Sequence, residues 1–252
     1  MMIMKEFNKI KYIEINNSKE INTIIIPGYL QTYQTYQNLF TTISKYSNIY
    51  VIELPGFGIT EKLNKVINLD YYIIYLKEFI EHLKLDNVIL FGHSFGGRII
   101  IKYESLYNSS KSLILMDAAG CSRRNIKTQL KIIKYKSLKY FYKTLKLKKH
   151  LETLILQSGS SEYKCLDDIS KQTYSNIVKE KTTKYLKKIN TTTLVLWGKL
   201  DKETPIHDAL IINKLIKYST LITIEDVGHF PHLENPKLIN NILDHFYRGV
   251  CI

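Results

Sequence analysis

Short apolar runs alternate along the chain with longer stretches in which apolar residues recur every three or four positions. The runs Lys11 to Ile15, Ile21 to Ile26 and Ile49 to Leu54 are rich in isoleucine and bounded by polar residues, which predicts strands. Asn87 to Phe91, Ser112 to Met116, Thr193 to Trp197 and Leu221 to Ile224 are apolar on both alternate positions, the pattern of parallel strands covered on both faces. Between the strands, Tyr36 to Ser44 has helical spacing. Asp70 can cap a helix to Leu83 with Tyr71, Ile74, Phe79 and Ile80 among its apolar positions. Pro205 to Ile216 and Pro236 to Tyr247 read as helices with proline near the first turn. Strand and helix in alternation predict an α/β fold built on a doubly wound, mostly parallel sheet.

One junction in this pattern carries chemistry. Gly92-His93-Ser94-Phe95-Gly96-Gly97 follows the apolar run Val88 to Phe91 and precedes Arg98-Ile99-Ile100-Ile101, which can continue as a helix. In G-x-S-x-G the chain turns so sharply from strand into helix that side chains at the flanking positions collide, so glycines stand two residues either side of the serine. A serine hydroxyl is a weak nucleophile at neutral pH and needs a base and an orienting acid. The predicted strand at Thr193 ends in Gly198-Lys199-Leu200-Asp201, which presents a carboxylate. The strand at Leu221 leads through Glu225-Asp226-Val227-Gly228 to His229-Phe230-Pro231-His232.

Four motifs taken together resemble the α/β-hydrolase superfamily, in its lid-bearing branch: Pro27-Gly28-Tyr29, Glu53-Leu54-Pro55-Gly56-Phe57-Gly58, the elbow at Ser94, and the Asp201 and His229 loops. Their order and spacing match the family across almost all of the 252 residues. The resemblance implies Ser94 as nucleophile, His229 as general base and then acid, and Asp201 as orienting acid, with Asp117 after the sixth strand as the runner-up. It implies oxyanion donors at the backbone N–H of Phe95 and Tyr29, with Leu30 as the alternative because Pro27 replaces the usual His. His93 is expected to pack behind the elbow, and His232 is a secondary candidate base. The implied activity is hydrolysis of a small carboxylic ester through an acyl-enzyme, on a small-molecule acyl substrate and with no cofactor. Carbon-carbon bond hydrolysis, lactone or thioester hydrolysis, acyl transfer and a ligand-sensing receptor use the same scaffold.

The strand and helix alternation breaks between Gly120 and Lys188. This divides the chain into a hydrolase core, 1–119 and 189–252, and a helical lid, 120–188, in a single domain overall. From Cys121 to His150 the chain holds nine lysines and two arginines without an acid. Ile126, Leu130, Ile133, Leu138, Phe141 and Leu145 fall near one helical face and Lys127, Lys131, Lys134, Lys139, Lys143 and Lys146 largely off it. The favoured reading is a lid helix with its apolar face over the site and a solvated lysine face. Attraction of anionic substrates and attachment to a membrane surface are the rivals. The net charge of +13 does not bring nucleic acid in as a partner, since no recognition module or stacking platform accompanies it. Three cysteines without CxxC spacing fit reduced thiols, and the first residues lack the apolar segment of a secretory signal; a cytoplasmic protein is expected.

Overall fold

The computed structural model describes residues 1–56, 59–121 and 166–250, with 134, 137, 138, 140–145, 147, 148 and 150 between them. Eight strands form one sheet: β1 (Met2–Phe7), β2 (Ile10–Ile15), β3 (Ile21–Ile26), β4 (Ser47–Ile52), β5 (Val88–His93), β6 (Ser112–Met116), β7 (Thr193–Gly198) and β8 (Ser219–Ile224), in the order β1-β2-β4-β3-β5-β6-β7-β8. The β1–β2 and β2–β4 pairs are antiparallel and the rest parallel. The helices are α1 (Gln37–Ile43), α2 (Leu69–His82), α3 (Phe95–Tyr107), α4 (Asp168–Lys179), α5 (Thr183–Leu186), α6 (Ile206–Leu215), α7 (Pro231–Glu234) and α8 (Pro236–Val250).

The central strands are apolar throughout because both of their faces are covered. In β5, Val88 and Leu90 join the core shared with α2, α3 and α6, whereas Ile89 and Phe91 join the core shared with α1 and α8. β3 divides in the same way, with Ile24 and Ile26 on one side and Ile25 on the other. Each such side chain contributes about 1.5–3 kcal/mol on full burial, and this double layer holds the carboxyl ends of β5, β7 and β8 side by side.

Several boundaries differ from those read in the sequence. A 3-10 turn, Tyr33–Tyr36, precedes α1, so the helix begins at Gln37. The cap of α2 is Asn68, whose side chain accepts from the Tyr71 N–H. Asp70 instead sits in the first turn and pairs with Lys102 at 2.6 Å. The additional strand β1 has no buried position, which is why no hydrophobic pattern announced it.

α4 and α5 lie within the segment 120–188. Ile126, Leu130, Ile133, Lys127, Lys131, Lys139, Lys146, Phe57, Gly58, Cys165 and Cys251 lie outside the described residues. Phe141 and Leu145, expected on a covered face, are 53% and 52% exposed, and neighbouring Tyr140 is exposed as well. No helix among the described residues is long and apolar enough to cross a membrane.

Candidate active site

Ser94 sits between β5 and α3 at φ 49° and ψ −109°, a conformation costing a residue with a side chain about 1–3 kcal/mol. Three backbone hydrogen bonds hold it there. Its N–H donates to the Met116 carbonyl at 3.0 Å, and its carbonyl accepts from the N–H groups of Arg98 at 3.3 Å and Ala119 at 2.9 Å. The helix that follows approaches β3 so closely that a Cβ at Gly96 would stand 1.9 Å from the Ile26 carbonyl oxygen; only glycine allows that approach.

The other two side chains come from loops after β7 and β8. A Cβ at Gly198 would fall 2.0 Å from the Gly228 carbonyl oxygen, so the bare backbone of Gly198 lets the two loops meet. His229 Nε2 then lies 3.0 Å from Ser94 Oγ, and His229 Nδ1 lies 2.7 Å from Asp201 Oδ2. Asp201 and His229 are both buried. Burial by itself would raise the Asp201 carboxyl, but hydrogen bonds from His229 and Thr204 outweigh it and hold the group down at about 2. An ionised Asp201 keeps the proton on Nδ1 and leaves the Nε2 lone pair facing the serine hydroxyl.

Thr204 is a member of this group that sequence reading missed. Its N–H donates to Asp201 Oδ1 at 2.9 Å, as does the Glu203 N–H at 2.7 Å, and its hydroxyl reaches Asp201 Oδ2 at 2.6 Å. The available signal was the spacing Asp201-Lys202-Glu203-Thr204, in which an aspartate accepts from the next turn's amides.

Asp117 is fully buried beside Asp201. Burial drives its carboxyl well above the ordinary carboxylate range, against the one Gly198 N–H that donates to Oδ1 at 3.1 Å. Asp117, Asp201 and His229 also present donor atoms within 4.8 Å of one another, the one such set among the described residues. A cation there would compete with the Asp201–His229 hydrogen bond.

Behind the site, His93 and His232 are wholly buried. His93 Nε2 lies 2.8 Å from the His229 carbonyl and must donate to it. Its Nδ1 is therefore the acceptor facing the Tyr36 hydroxyl at 3.0 Å, and that hydroxyl accepts from the Gly28 N–H at 3.0 Å. Gln31 joins the same cluster through its side-chain amide. The chain of bonds ties the loop after β3 to the backbone of His229. Burial keeps His93 and His232 in the neutral form, the latter pushed down to about 4. His232 stacks on Tyr36 at 4.7 Å and neither of its ring nitrogens has a hydrogen-bond partner among the described residues; it lies behind the site rather than beside Ser94. Burial pushes the Cys121 thiol up to about 11, far from a thiolate.

A cavity of about 630 Å³ opens over Ser94 and His229, bordered by Tyr29, Leu30, Phe95 and, from α4, Tyr174 and Val178. Phe95 is the first residue of α3, where the helix dipole presents positive charge. The Tyr29 and Phe95 rings meet edge to face at 5.9 Å.

A strained serine on a strand-to-helix turn, with a buried histidine and carboxylate supplied by two later strands, defines a hydrolase fold. The chain belongs to the alpha/beta hydrolase family, whose model matches residues 24–242. It is 26% identical to a pimeloyl-[acyl-carrier protein] methyl ester esterase of Wigglesworthia glossinidia brevipalpis, with 93% of this chain and 96% of that protein covered. It is also 26% identical to lipase 1 of Psychrobacter immobilis, covering 90% and 77%. Among solved structures, a bacterial membrane phospholipase A superposes with a TM-score of 0.77 over 99% of this chain and 86% of the other, at 18% identity.

Proposed function

We propose that the protein hydrolyses carboxylic esters through an acyl-enzyme, with Ser94 as nucleophile, His229 as base and Asp201 as orienting acid. The observation that carries this is the unbroken chain from Ser94 Oγ through the His229 ring to Asp201, opening onto a cavity large enough for a small ester. Esterase and lipase names among relatives that cover nearly the whole chain favour an ester over the other acyl substrates. His229 takes the serine proton as Ser94 attacks the carbonyl, and returns it to the leaving alcohol; water then repeats the sequence on the acyl-enzyme. The backbone N–H groups of Phe95 and Tyr29 are the proposed oxyanion donors, at the positive end of α3. Residues 120–188 act as a lid, a reading supported by the place of α4 on the cavity wall. The free thiol of Cys121 favours a cytoplasmic setting.

A fluorophosphonate probe tests the assignment. It should attach to Ser94 in the parent protein and label His229→Ala far more slowly, with 4-nitrophenyl ester turnover lost in Ser94→Ala. A folded protein that hydrolyses esters without forming a Ser94 adduct would refute the serine mechanism.

A further inference from the structure

Arg98 stands one helical turn after Ser94 on α3 and borders the same cavity. It interrupts the apolar run that leads into the helix, and it is 95% buried, with a relative exposure of 5%. A buried guanidinium is costly unless an anion accompanies it. Here Nη1 donates to two carbonyls at the end of α4, Ile177 at 3.2 Å and Glu180 at 2.6 Å, while Nε has no hydrogen-bond partner among the described residues. Those bonds satisfy hydrogens but, among the described residues, bring no carboxylate into contact with the charge. Among the described residues no carboxylate forms an ion pair with Arg98. The Glu180 side chain is engaged by Lys102 at 2.9 Å and by the Tyr185 hydroxyl. The charged neighbours of the guanidinium are the Glu180 and Asp208 carboxylates, neither of which is within ion-pair distance of it; the Tyr174 phenol and the Cys121 thiol beside it are neutral.

We propose that Arg98 supplies the missing pairing to the substrate: the acyl pocket takes esters whose acyl chain carries a carboxylate, with Arg98 as its specificity-determining residue. Tyr174 lines the same wall. The cavity's own acid, Glu203, is two-thirds exposed and lies 3.4 Å from His229 Nε2, the atom that serves the leaving alcohol. It therefore borders the alcohol side rather than the acyl side, and solvent screens it. This inference rests on the hydrolase reading and narrows its substrate class.

The test compares mono(4-nitrophenyl) glutarate, an anionic half ester, with methyl 4-nitrophenyl glutarate, its neutral counterpart of nearly equal size. The parent protein should favour the half ester by tenfold or more in kcat/KM, chiefly through a lower KM. The monomethyl glutarate anion should inhibit turnover of the neutral ester at least tenfold more strongly than dimethyl glutarate. In Arg98→Gln, with folding checked by cooperative melting and Ser94 labelling, the preference should fall to about one, and Arg98→Lys should recover part of it. Equal use of both esters by the parent protein overturns the proposal without touching the serine mechanism, and needs no variant. Survival of the preference in Arg98→Gln, with loss in 0.5 M salt, assigns it to the surface lysines and also overturns it. Absence of both turnover and Ser94 labelling shows instead that the hydrolase reading has failed.

Discussion

Two buried aspartates side by side divide the work through their hydrogen bonds. Asp201 receives bonds from His229, Thr204 and the Glu203 backbone and stays ionised. Asp117 has one backbone donor, and burial pushes its carboxyl well above the ordinary carboxylate range. Asp201→Asn should therefore lower kcat by up to about 10⁴-fold, as loss of the orienting acid does in a serine triad, while Asp117→Asn stays within a few-fold of the parent. The stability effect of Asp117 has a definite sign. Its native carboxyl titrates far above its unfolded value near 3.9, so the unfolded chain releases a proton that the native state retains. Stability is lost as pH climbs from about 4 toward the native value. Asp117→Asn should consequently gain on the parent between pH 4 and pH 7 in urea midpoints measured at both. A gap that does not change with pH would mean that Asp117 is ionised in the fold.

The elements themselves are tied together by side chains far apart in sequence, and Tyr36 is the clearest case. Its hydroxyl accepts the Gly28 N–H from the loop after β3 and faces His93 at the end of β5, which holds the His229 carbonyl. Tyr36→Phe would strand a buried N–H, at a cost of about 1–3 kcal/mol, and loosen the loop that carries Tyr29. Chemical denaturation should show that loss, and ester kinetics should show kcat falling more than KM rises; a variant with the parent's stability would show that the hydroxyl holds nothing. This is also where reading the sequence stops. Parallel strands announce themselves because both faces are apolar, and Ser94, Asp201 and His229 each stand in a local strand-to-loop pattern. Tyr36 and His93 meet across 57 residues, and no local spacing records that approach. β1 was invisible because only Phe7, at its end, is even half-buried against the core, and the α2 cap was misplaced because Asn68 and Asp70 are both good helix starters while only Asn68 has the extended backbone of a cap.

For the molecule as a whole, a net charge of +13 suggests long-range attraction of anions. Screening separates that attraction from the local contact at Arg98, because added salt shortens the Debye length from about 10 Å at 0.1 M to about 3 Å at 1 M and acts mainly on exposed charges. Turnover of anionic and neutral esters should therefore show equally weak salt dependence, and Lys134→Gln with Lys143→Gln, both exposed positions, should behave as the parent. A salt effect confined to the anionic ester and erased in that double variant would give the lysines the steering role. The order of the strands bears on when the protein becomes active. The nucleophile precedes its base by 135 residues. At about 5–20 residues per second the ribosome takes about 7–27 s to cover that interval. Throughout it the nascent chain displays the serine without its base. Reactivity toward a serine-directed probe thus switches on only when β7 and β8 dock on the far side of the sheet, which makes active-site labelling of ribosome-bound chains a clock for the last step of folding.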